Sequence, residues 1–171
     1  MRSSRSKQSL IARERPVQRK KKILVAALLA IAGCLAIAQS VTIQNTNPPS
    51  KGDIVAPPEI EAILRRACYD CHSNETRWPW YTCIAPVSWL IGRDVALGRR
   101  ELNFSEWESY YSATRKRKLQ WIDRALREEA MPPWSYHILH PGATLTQTDL
   151  ATLERWTRSA IADQPQQNET N

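Results

Sequence analysis

Cys68-Tyr69-Asp70-Cys71-His72 sets two thiols three residues apart and an imidazole directly after the second. Such a set can attach a haem, exchange a disulfide, supply part of a zinc site, or arise by accident. C-x-x-C-H is the attachment pattern of c-type haem. Two thiols about one helical turn apart can each add to a vinyl group on one porphyrin edge, while the next residue brings an imidazole to the iron. With four Cys and three His in 171 residues, chance supplies this pattern roughly 0.002 times per chain. Accident is therefore set aside. A dithiol oxidoreductase using Cys68 and Cys71 calls for a βαβ setting, and the periodicity below offers none. Zinc would need a fourth ligand from Cys83, His137 or His140, at spacings that are not a usual zinc pattern. The expected cofactor is one covalently attached haem c, held by Cys68, Cys71 and His72, with His72 on the iron.

The second axial ligand is expected to be Met131, 59 residues after His72, at the end of a helical pattern and ahead of Pro132-Pro133. A proline pair fixes an extended loop, which would hold a thioether out toward the iron. Met/His ligation favours electron transfer at a raised potential. The alternatives are Met131 as a core filler, His137 or His140 as ligand, or an open distal side, as in a haem sensor or peroxidase-like enzyme. Trp78-Pro79-Trp80 is the candidate rigid wall beside the haem. The other aromatics, Tyr81, Trp89, Trp107, Trp121, Trp134 and Trp156, suit either the porphyrin faces or the core. Arg77 reads as exposed, with a haem propionate as its alternative partner. Cys83 lies outside the pattern and reads as buried and inert. The sequon Asn74-Glu75-Thr76 reads as incidental. No catalytic residue is assigned, because the expected role is that of a carrier or binder.

The elements that must position these residues are helical. Ile60, Ile63, Leu64 and Ala67 follow Pro57-Pro58 at i, i+3, i+4, i+7, and Cys68 and Cys71 continue the stripe. A second helix starts near Pro86, with Val87, Leu90, Ile91 and Val95 inward and Gly98 near its end. Ser105-Glu106-Trp107-Glu108 fits a capping box. Residues 115–129 carry Leu119, Ile122 and Leu126 on one face, and residues 147–162 carry Leu150, Leu153, Trp156, Thr157 and Ile161. No segment alternates with period two, so the domain is expected to be all-α.

Charge locates this domain in the chain. Of 24 basic and 17 acidic residues, nine and one fall in residues 1–22, which leaves the remainder at 15 against 16. The net charge of +7 belongs to the tail, so the domain is not a nucleic-acid binder. Ile23 to Val41 is uncharged over 19 residues, enough to cross roughly 28 Å of hydrocarbon. With Lys51 and Arg65 the first positive charges after it, the positive-inside bias keeps the N-terminus in the cytoplasm and exports the C-terminal domain. Lipidation at Cys34, in Ile31-Ala32-Gly33-Cys34, and cleavage after Ala36-Ile37-Ala38 are the alternatives, and both also export the domain. The expected plan is a basic cytoplasmic tail (1–22), a transmembrane anchor (23–41), a linker lifting the domain off the membrane (42–56), a haem-binding domain (57–162) and a disordered tail (163–171).

"CYDCHSNETRWPWY", "IAPVSWLIGRDVALGRRELNFSEW" and "MPPWSYHILHPGATL" together resemble the bacterial haem-binding domain family, over about residues 45–161. The resemblance implies a short hydrophobic anchor in the bacterial inner membrane and a compact, cytochrome c-like helical domain in the periplasm or at the cell exterior. It implies haem at Cys68, Cys71 and His72, and favours Met131 in "MPPW" as a functional position. It supplies no reaction and names no redox partner.

Overall fold

The computed structural model describes residues 3–41 and 45–164, with side chains from residue 18 onward. Expectations for residues 1–2, 42–44 and 165–171 lie outside the described residues. The fold is all-α, and among the described residues the only strand-like pairing is one bridge between Gly52 and Glu106.

Helix α1 (Ser3–Ser40) joins the basic segment and the apolar run into one element. Its Gln18–Ser40 stretch is long and apolar enough to cross a membrane, and none of it is buried against the domain. Both a span and a signal sequence meet that description. Residues 45–56 do not lift the domain away as a free linker would; they lie along it as a strap. The Ile54 N–H donates to Phe104 O at 3.1 Å, Lys51 N–H to Ser105 O at 2.8 Å, and the Ile54 side chain joins the core.

Helix α2 (Pro58–Ala67) buries the expected Ile60, Ile63, Leu64 and Ala67. Glu59 and Glu61 in its first turn, and Arg65 and Arg66 in its last, complement the helix dipole. The stripe does not run on unbroken. Cys68, at φ −121° and ψ −35°, is a joint, and the single turn α3 (Tyr69–His72) follows it. This break turns Cys71 and His72 toward α4 (Val87–Glu101), which ends three residues beyond Gly98. Of the four residues expected to face inward on α4, only Val95 is fully buried, whereas Val87 and Leu90 are 38% and 58% exposed. The helix packs on α3 through its C-terminal half.

Helices α5 (Ser112–Arg127) and α7 (Gln147–Ala162) pack on each other and close the core. Leu64, Phe104, Leu119 and Leu153 are at most 1% exposed, and full burial of such a side chain is worth about 1.5–3 kcal/mol. Ser105 and Glu108 form no capping box, and the turn Trp107–Ser109 begins without a side-chain cap. A capping box does form at α7, where Thr146 and Asp149 bond reciprocally. A short helix α6 (Trp134–Leu139), absent from the sequence reading, follows Pro133.

Candidate haem site

His72 is oriented by two carbonyls. Its Nδ1 lies 3.0 Å from Gly98 O and 3.1 Å from Leu102 O. Carbonyl oxygens only accept, so Nδ1 carries the proton and Nε2 keeps its lone pair. Burial pulls the pKa of His72 down and outweighs the two backbone bonds, which pull it up. The ring is therefore a neutral imidazole near neutral pH. That is the form in which histidine ligates a metal, with its other N–H donated to a backbone acceptor.

Gly98 makes this contact possible. A Cβ there would fall well inside 3.0 Å of the Cys71 carbonyl oxygen, so only glycine lets α4 approach the motif this closely. Its neighbour Arg99 clamps the far side, donating from Nε to Ser73 O at 2.7 Å and from Nη2 to Thr76 Oγ1 at 2.9 Å. It also reaches the strap, from Nη1 to Thr46 O and from Nη2 to Asn47 Oδ1, both at 2.9 Å. The signal for Gly98 was present in the sequence as an isolated glycine inside a helical pattern.

Cys68 and Cys71 are half-buried free thiols. Burial pushes Cys68 up to about 12 and Cys71 up to about 11, so both are protonated at neutral pH. A dithiol that attacks disulfides needs the opposite, a lowered pKa and a thiolate. Between them, Asp70 is buried and accepts four hydrogen bonds: Arg77 N–H at 3.0 Å, Arg77 Nε at 3.2 Å, Arg77 Nη2 at 3.0 Å and Tyr136 Oη at 2.6 Å. Burial alone would raise its pKa, but Arg77 and Tyr136 outweigh it and hold the carboxyl below its ordinary value. Sequence reasoning missed this carboxylate and Tyr136.

Tyr136 lies on α6, so its bond to Asp70 ties the Met131–Leu139 segment to the C-x-x-C-H turn. Met131 itself is 47% exposed between α5 and α6, ahead of a cis bond to Pro132. His140 stacks on Tyr136 at 4.0 Å, and its Nε2 meets Tyr81 Oη at 3.1 Å. His137 Nδ1 lies 3.3 Å from Thr144 Oγ1.

The structure also places the other expected residues. Trp78 donates to Asn47 Oδ1 at 3.1 Å, and Trp80 is exposed and meets Tyr81 edge-on. Neither is joined to His72 by a hydrogen bond or ring contact among the described residues. Arg77 is exposed as expected, but its guanidinium is committed to Asp70. Cys83 was expected to be buried and is exposed, because the 3-10 turn Trp80–Cys83 sets it at the surface. Asn74 is buried, donating to Pro49 O and accepting from Asn103 Nδ2, so the sequon is a structural asparagine.

The described residues hold no group of three or more His, Cys, Asp or Glu set for a bare metal ion. His72 Nε2 would hold the iron of a haem, and the Cys68 and Cys71 thiols on the same turn would hold its porphyrin. The residues present fit a haem. The chain belongs to the haem-binding domain family, whose sequence model matches residues 27–159. No curated protein and no solved structure matches it.

Proposed function

We propose that the protein is a membrane-anchored, exported c-type electron carrier with one haem attached at Cys68 and Cys71, ligated by His72 and Met131. The observation that carries this reading is the His72 ring, whose Nδ1–H is bound by Gly98 and Leu102 and whose Nε2 is left for iron. Haem, when bound, supplies an iron that takes up and gives back one electron. The chain's residues do the rest. Cys68 and Cys71 would hold the haem through thioethers, each S–H adding across a vinyl C=C with sulfur bonding one carbon and hydrogen going to the other, so no oxidant or leaving group would be needed. The raised thiol pKa values work against disulfide exchange, which needs a thiolate. Met131 is supported as the second ligand by the bond that holds its segment to Asp70. The uncharged run in α1 and the charge bias around it support a single pass through the bacterial inner membrane, with the domain in the periplasm or at the cell exterior.

Full-length protein matured by c-type assembly machinery should show a thioether-to-iron charge-transfer band when oxidised. Met131→Ala should abolish it, and an unchanged band would remove Met131 as ligand. Carbon monoxide should not bind the reduced wild type. Binding without loss of a ligand would instead mark an open distal side, as in a haem sensor or a peroxidase-like enzyme.

A further inference from the structure

The end of α1 is bonded to the domain at one place. The Gln39 side chain donates from Nε2 to Cys83 O at 2.7 Å and accepts the Ala85 N–H on Oε1 at 3.0 Å. Trp89 Nε1 donates to Val41 O at 2.9 Å. These three bonds fix the segment around residues 83–89 at the level where the apolar helix ends. That segment has an unusual surface. Residues 78–92, "WPWYTCIAPVSWLIG", carry no charge, and within them Trp80, Ile84 and Val87 are 76%, 45% and 38% exposed. Exposed aliphatic side chains beside an exposed tryptophan, with no Lys, Glu, Asp or Arg among them, match the composition of a membrane–water boundary.

We propose that the Trp80–Val87 surface rests in the headgroup–acyl boundary of the membrane that holds α1. This rests on the anchored reading above. Lipid is favoured as occupant over a partner protein because the surface is continuous with the end of the span and bonded to it. The consequence concerns the haem site. Gly98 lies eleven steps along α4 from Val87, about 16 Å at 1.5 Å per residue. His72 and its cofactor are thereby held close to the bilayer at a fixed height, where they can meet a membrane-embedded redox partner, rather than swinging on a tether.

The test uses the matured full chain in liposomes of phosphatidylcholine carrying a photoactivatable diazirine near the glycerol backbone, followed by tryptic digestion and mass mapping. The peptide 78–93 should be labelled together with the peptide that holds the span. Its yield should be several times that of peptide 128–155, which exposes Trp134 and Ile138 but, among the described residues, has no bond to α1. An Ile84→Glu, Val87→Glu variant should lose the label from 78–93 while keeping its haem stain and helical circular dichroism. Label on the span alone overturns the docked surface and leaves the anchor standing. Label on neither overturns both, and equal label on 78–93 and 128–155 overturns the proposal as indiscriminate capture.

Discussion

The close approach of Gly98 to the Cys71 carbonyl decides how near α4 can come to the C-x-x-C-H turn, and so whether His72 reaches its two acceptors. Glycine inside a helix ordinarily costs about 0.5–1 kcal/mol relative to alanine. Here the sign should reverse. Gly98→Ala should destabilise the domain by about 1–3 kcal/mol, as overpacking does, and lower haem retention. Urea unfolding and the haem-to-protein absorbance ratio measure both, and a neutral or stabilising effect would contradict the contact. At this scale the sequence pointed to Cys68, Cys71 and His72, because C-x-x-C-H is a pattern readable from spacing. It could not reveal Asp70 as the acceptor for Arg77 and Tyr136, since Tyr136 lies 66 residues away and only the tertiary fold joins them. The burial of Asn74 was hidden for the same reason: its partners are Pro49 and Asn103.

Two elements are pinned by polar contacts to distant parts of the chain. Helix α6 is tied to the C-x-x-C-H turn by Tyr136 and Asp70, and a hydrogen bond to a charged group is worth about 1.5–3 kcal/mol. Tyr136→Phe should leave the haem stain intact yet weaken the charge-transfer band of the methionine-ligated iron, because the Met131 segment loses its tether. Retention of the full band would mean that Met131 is held by other contacts. Helix α7 is fixed at its start by Asp149, which caps Thr146 and pairs with Arg66 of α2 at 2.9 Å. Burial works to raise the Asp149 pKa, but the Thr146 bonds and Arg66 prevail and hold it below its ordinary value. A carboxyl with a depressed folded pKa stabilises above its unfolded value of about 3.9 and loses that contribution as the pH falls through the folded value. Asp149→Asn should therefore cost about 1 kcal/mol at neutral pH, and its gap to wild type should close below about pH 3.9. A gap independent of pH in urea titrations would contradict this. The amphipathic stripes of α2, α5 and α7 were legible because the core enforces their period. Helix α6 was not, since six residues without a buried member carry no period. The exposure of Val87 and Leu90 also ran against the pattern, because apolar spacing does not say what an apolar face touches.

Across the whole molecule, a basic segment, an apolar helix and a helical domain lie in series, and the strap of residues 45–56 with the Gln39 contacts binds the helix end to the domain. This arrangement gives the C-x-x-C-H turn a fixed place relative to the apolar helix, which a free linker would not. The domain was legible from its charge balance and periodicity; the strap was not, because its polar, proline-bearing composition is that of a linker and its bonds are to distant backbone. The central claim is that this molecule carries one haem bound through both cysteines. Intact-mass measurement of the matured full chain under denaturing conditions tests it most directly. The expected result is a gain of one haem mass that stays with the polypeptide and stains in a denaturing gel, falling away in a Cys68→Ala, Cys71→Ala variant. Protein at its bare polypeptide mass, with Cys68 and Cys71 both open to alkylation after maturation, would contradict the account.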